Sequence, residues 1–123
     1  MTHRGHILAI ENDTALGDFI LEALGEEGYS VRVILDAAQA CVTLGIRMPD
    51  LVLCDLPMPG LPGRDLIMQL QQTLPADVPI VVMATDTSPM RELDGLNVAF
   101  CLMKPFELTD LFACVAAYIR IPK

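Results

Sequence analysis

Glu11, Asn12 and Asp13 stand at the end of an apolar run over 6–11. Asp36 follows a second run (29–35), Asp55 a third (51–54), Ala84, Thr85 and Asp86 a fourth (79–84), and Lys104 and Pro105 a fifth (98–103). A single aspartate in such a place is commonly a helix cap or a solvated turn residue. The set asks for more. Carboxylates close the first and third runs, a hydroxyl follows the fourth and an ammonium follows the fifth. If the runs are neighbouring parallel strands, these groups converge on one edge of a sheet. That edge is where open α/β sheets bind ligands.

Other chemistries lack their residues. Cys41, Cys54, Cys101 and Cys114 form no CxxC pair and no metal-ligand spacing; they are expected as free, buried thiols in a reducing compartment. No GxGxxG and no P-loop occurs. The formal net charge of −8 argues against direct nucleic-acid binding, which needs clustered Lys and Arg. No apolar run approaches the roughly 20 residues of a membrane span. The opening Met1–His6 segment lacks the hydrophobic stretch of a signal peptide. A cytoplasmic location is expected.

The elements that must position the polar set follow from periodicity. With 123 residues, 53% hydrophobic and 20% charged, the chain fits one domain over 1–123 with one packed interior. The runs HILAIE, LVLC and PIVVMA are continuous and short, as for strands buried on both faces. YSVRVIL and VAFCLM complete five strands. Helical spacing runs over 14–26, with Leu16, Phe19, Ile20, Ala23 and Leu24 inward, Asn12 or Asp13 as cap and Gly28 as stop. Further helices are predicted over 37–46, with Ala37, Ala40, Cys41 and Leu44 inward, over 64–74 and over 107–120. A weak one covers 88–95, with Ser88 as cap and Pro89 in its first turn. Strict β/α alternation implies right-handed crossovers and an α/β fold, a doubly wound five-stranded parallel sheet with helices on both faces.

The segments ILAIEND, PDLVLCDLPMPGLPG, PIVVMATD and LMKPFELTDL together resemble the receiver domain of two-component response regulators, over essentially the whole chain. The most specific parts are Asp55 with Met58-Pro59-Gly60 and Gly63 at fixed offsets, and Lys104-Pro105-Phe106. The resemblance implies a flavodoxin-like sheet of order 2-1-3-4-5. It implies that Asp55 takes a phosphoryl group from a phosphohistidine on a sensor histidine kinase or phosphotransfer protein, in a switch rather than a turnover enzyme. A carboxylate attacks an anionic phosphoryl group poorly, so charge neutralisation and positioning must carry the step. The family uses Mg²⁺, which prefers oxygen ligands. Matched residue by residue, Asp55 is phosphoacceptor and metal ligand, Glu11 and Asn12 are the acidic-pair positions, Pro57 offers its carbonyl, and Lys104 pairs with Asp55. The Lys104–Pro105 bond is expected to be cis.

Three departures qualify that resemblance. Asn12 stands where an aspartate is usual; its amide oxygen can ligate, but a charge is missing and Mg²⁺ binding is expected to weaken. The hydroxyl after strand four is either absent, if Ala84 holds its position, or supplied by Thr85, the favoured assignment; a one-residue slip reverses the side chain's face. Cys101 occupies the position of the usual Tyr or Phe, and Phe100 should face the other way. The connection to Lys104 is also about two residues short. A degenerate receiver that docks partners without phosphorylation is therefore the alternative function. An enzyme on a similar sheet fares worse: Glu11-Asn12-Asp13-Thr14 is a poor match to the DxDxT of dehalogenase-like phosphatases, and a flavodoxin's phosphate loop is missing. Downstream, a protein partner or a fused output domain is implied. Whether the chain is a stand-alone protein or part of a longer regulator, and whether it forms a homodimer, stays open.

Overall fold

The computed structural model describes residues 4–121. Residues 1–3 of the opening segment, and 122–123, lie outside the described residues. Eleven elements alternate along the chain: β1 (His6–Ile10), α1 (Thr14–Glu26), β2 (Ser30–Ile34), a 3₁₀ turn (Ala37–Gln39) leading into α2 (Ala40–Ile46), β3 (Leu51–Asp55), α3 (Gly63–Thr73), β4 (Ile80–Ala84), α4 (Ser88–Glu92), β5 (Phe100–Met103) and α5 (Leu108–Tyr118). The strands form one parallel sheet of order β2-β1-β3-β4-β5. This is the expected doubly wound arrangement.

The three central strands are apolar throughout because both of their faces are covered. Every residue of β1, β3 and β4 is buried. Alternate side chains feed two cores. On one face Leu8, Ile10, Val52, Cys54, Ile80, Val82 and Ala84 pack with Leu44 of α2, Leu66, Ile67 and Leu70 of α3, and Leu93 just after α4. On the other, Ile7, Ala9, Leu51, Leu53, Val81 and Met83 pack with Ile20 and Leu24 of α1 and Leu111, Cys114 and Val115 of α5. Each fully buried Ile or Leu contributes roughly 1.5–3 kcal/mol by leaving water. β2 and β5 are the sheet's edges and are partly exposed.

Several local expectations are corrected. Phe19 is 41% exposed, so the apolar stripe of α1 is narrower than its periodicity implied. Cys41 is exposed rather than buried; Cys54 and Cys114 are buried and Cys101 is intermediate, all four being free thiols. The predicted helix over 37–46 begins as a 3₁₀ turn, where Asp36 receives the Gln39 N–H at 3.0 Å. Strand five starts at Phe100, not 98. α4 is only five residues long, and Ser88 does not cap it: Asp86 receives the Ser88 N–H at 2.8 Å. Gly28 and Gly95, with φ of +94° and +83°, supply the left-handed residues that follow α1 and α4.

At the sheet's N-terminal edge, Asp50 closes the domain. Its Oδ2 accepts the His6 N–H at 2.9 Å and its Oδ1 faces Arg120 Nε at 3.2 Å. Its backbone N–H donates to His6 O (2.7 Å) and its carbonyl accepts the Arg120 N–H (3.1 Å). The starts of β1 and β3 and the chain beyond α5 are thus tied to one residue.

Candidate functional site

At the opposite edge the polar set assembles. β1 and β3 are neighbours, so the residues that follow Ile10 and Cys54 come side by side. Glu11 is fully buried, and its N–H donates to Ile34 O of β2 at 3.0 Å. Its Oε1 accepts the Asp13 N–H at 3.0 Å. Asp55 ends β3, and the next residue, Leu56, is held to β4 by its N–H to Met83 O at 2.9 Å. Lys104 follows β5, its N–H donating to Ala84 O at 2.7 Å. That backbone bond aims the lysine across β4 at the acids. Its Nζ lies 2.6 Å from Asp55 Oδ1 and 3.4 Å from Glu11 Oε2.

The electrostatics follow from burial and crowding. Burial raises the Glu11 pKa above the ordinary glutamate value; the Asp13 N–H pulls it back, the Asp55 charge pushes it further up, and Lys104 lowers it. Burial acts to lower the Lys104 pKa, but the Asp55 and Glu11 carboxylates more than offset that and raise it. Lys104 therefore stays an ammonium. Cys54, buried beside these acids, has its thiol pKa pushed well up by burial first and by the Asp55 and Glu11 charges second. It is a packing residue, not a nucleophile.

Glu11 Oε2 is buried and has no hydrogen-bond partner among the described residues. At 3.4 Å from Lys104 it has an ion-pair neighbour but no aligned donor. An orphaned, buried carboxylate oxygen beside a second carboxylate is the kind of donor set a hard cation satisfies. No group of three His, Cys, Asp or Glu side chains stands ready to hold a metal among the described residues. A third side-chain oxygen would have to come from Asn12. Asn12 is exposed, and its Nδ2 reaches the Leu35 carbonyl only at 3.4 Å. Asp13 is the α1 cap, receiving the Ala15 and Leu16 N–H groups at 2.9 and 3.2 Å. The choice between Asn12 and Asp13 as helix cap is thereby resolved.

Pro57 is exposed after a cis Leu56–Pro57 bond, and Lys104–Pro105 is cis as expected. Ala84 is the last residue of β4, buried, and Thr85 is the first residue beyond it, exposed. Cys101 packs toward the α2–α3 core, whereas Phe100 stacks on Tyr118 of α5 with ring centroids 5.3 Å apart. The two residues thus face opposite ways, as the alternation of a strand requires. A surface groove of about 570 Å³ lies on another part of the molecule: Phe100, Met103, Pro105, Phe106, Cys114 and Tyr118 are among the residues that line it.

Comparison with known proteins bears on the family and the fold. The family described as "Response regulator receiver domain" matches residues 7–116. The DNA-binding response regulator MtrA of Mycobacterium tuberculosis is 35% identical over 121 residues, which are 97% of this chain and 52% of that protein. The response regulator MprA of Mycobacterium leprae is 33% identical over 119 residues, 95% of this chain and 52% of that protein. The chain spans about half the length of the curated relatives it matches. Among solved structures, the chemotaxis response regulator CheY4 of Vibrio cholerae superposes with a TM-score of 0.86 at 22% identity, over 96% of this chain and 100% of that one. A CheY-like receiver domain protein from Methanospirillum hungatei gives a TM-score of 0.86 at 20% identity, over 94% and 93%. At these identities the structural likeness concerns the fold.

Proposed function

The chain belongs to the response regulator receiver domain family, and from that premise we propose that Asp55 is its phosphoacceptor. The observation that carries the proposal is the Lys104–Asp55 contact of 2.6 Å at the carboxyl edge of the sheet, beside the unsatisfied Glu11 oxygen. Asp55 would supply the attacking carboxylate. Lys104 would first neutralise that carboxylate and then the phosphoryl oxygens. Thr85, the hydroxyl nearest the end of β4, would reach a phosphoryl oxygen from its exposed position.

Receiver domains are generally Mg²⁺-dependent. Here Glu11, Asp55, the Pro57 carbonyl and the Asn12 amide oxygen would hold the ion. When bound, it would offset the negative charge of the carboxylates and phosphoryl group. Asn12 brings no charge to this set, so weaker binding than with an aspartate is expected. The protein is a signalling switch, with at most its own phosphorylation and dephosphorylation to catalyse. Donors would be a sensor histidine kinase or phosphotransfer protein, and the readout a downstream partner or a fused output domain. No described helix is long and apolar enough to cross a membrane, and cytoplasmic signalling is the proposed setting.

The test is incubation with acetyl phosphate and Mg²⁺, followed by intact-mass measurement. Wild type should gain one phosphoryl group and Asp55→Asn none. A wild-type protein that never gains it, nor binds beryllofluoride, would overturn the reading in favour of a phosphorylation-independent docking module.

A further inference from the structure

The usual relay out of such a site is altered here, since Cys101 provides no aromatic ring. A different line of contacts leaves Asp55. Leu56, the next residue, is 2% exposed and packs against Gly63, the first residue of α3. The approach is close: a Cβ at Gly63 would lie 3.3 Å from both Leu56 methyl carbons. Directly after Gly63 comes Arg64. Its guanidinium Nη1 donates to the carbonyl of Glu92, the last residue of α4, at 3.0 Å and to that of Asp94 in the turn beyond it at 2.8 Å. About two turns further along α3, Gln71 Nε2 donates to Asn97 O at 2.9 Å.

α4 needs this support. It has five residues, none of them buried, and at its start the Asp86 carboxylate holds the Ser88 N–H. An isolated helix of that length does not hold itself together. The Met90 and Arg91 carbonyls accept the Leu93 and Asp94 N–H groups, which leaves Glu92 O to Arg64, and a cation at that end also favours the helix dipole. Arg64 supplies both the donors and the charge. The residue that fastens α4 is therefore adjacent in sequence to the residue in contact with Leu56, beside Asp55.

We infer that Arg64 is a positioning residue that couples the state of Asp55 to α4, through Leu56 and Gly63. The inference rests on Asp55 being the phosphoacceptor. A displacement of Leu56 on modification of Asp55 would be felt at the N-terminus of α3, where Gly63 leaves no side chain between Leu56 and the helix backbone. Arg64 then carries that shift to the Glu92 and Asp94 carbonyls. α4 is the receiving element because Arg64 bonds a carbonyl at its last residue and another just beyond it.

Hydrogen–deuterium exchange of the full chain with Mg²⁺, with and without beryllofluoride, tests this in wild type, R64A and R64K. In wild type, exchange should change over both 51–58 and 88–97. In R64A the change over 51–58 should persist, while the beryllofluoride-dependent change over 88–97 should shrink by roughly two- to thirty-fold, the range of single-residue effects on coupling. R64K, which keeps a donor and the charge, should recover part of it. Should R64A lose its fold, R64Q carries the same readout. If R64A only raises basal exchange over 88–97 and leaves the beryllofluoride response intact, Arg64 is a structural tie and the inference is overturned. A wild-type response confined to 51–58 overturns it equally. No response in either segment overturns the phosphoacceptor reading and the coupling with it.

Discussion

Asn12→Asp tests the metal site by adding the one charge the acid cluster lacks. Asn12 is exposed, so the water-like limit of the dielectric applies. Unit charges 4 Å apart in water attract by about 1 kcal/mol, and a dication doubles that to about 2 kcal/mol. Screening at physiological salt removes up to half. At 1.4 kcal/mol per decade, Mg²⁺ should bind roughly five- to thirty-fold more tightly. The metal-free protein should respond in the opposite sense. Among the described residues Lys104 is the single cation paired with Glu11 and Asp55, so a third carboxylate adds uncompensated repulsion and lowers stability by about 1 kcal/mol or less. Isothermal titration with Mg²⁺ reads the first effect, and urea denaturation in chelator the second. Unchanged Mg²⁺ affinity together with reduced stability would place residue 12 near the acids but outside the metal shell. That result refutes its proposed role.

Two further predictions concern the opposite edge of the sheet. Asp50→Ala removes the acceptor for the His6 N–H and leaves Arg120 without its inner partner; it should cost about 2–4 kcal/mol in urea denaturation. Asp77→Ala, which removes Arg120's outer and 53% exposed partner, should cost no more than about 1 kcal/mol, and equal losses would refute the assignment of the clamp to Asp50. His6 has its pKa lowered from 6.5, by burial first and then by the Arg47 charge. The unfolded chain then binds more protons than the folded one as pH falls through 6.5, so stability is lost in that direction, down to the lowered folded-state value. His6→Gln should flatten this part of the stability–pH curve; an unchanged slope would remove His6 as its cause.

The central strands were legible because burial on both faces leaves a simple mark: unbroken apolar runs, ILAI within β1 and IVVMA in β4, each ending where the chain turns polar. Their polar successors were legible for the same reason, since parallel neighbours end together. Edge elements were harder. β5 is half exposed, so nothing in 98–99 distinguishes an extended lead-in from the strand itself. Phe19 and Cys41 fit a helical stripe, yet both are exposed. The contacts of Arg64 and of Asp50 with Arg120 join residues up to 70 positions apart. A lone surface arginine carries no local signature of such a partner. Asn12 and Asp13 could be told apart only once the α1 cap was seen to be Asp13.

The two edges of the sheet differ in how they resist pairing with another chain. β2 interrupts its outer row with Arg32, a charge that makes strand addition unfavourable. β5 reads Phe-Cys-Leu-Met and has no charge, with Phe100 41% and Met103 39% exposed. Its defence is its length of four residues and the Tyr118 ring stacked on Phe100. The colloidal weak point of the molecule is therefore at β5, and concentrated or partly unfolded material should self-associate there before it does so along β2.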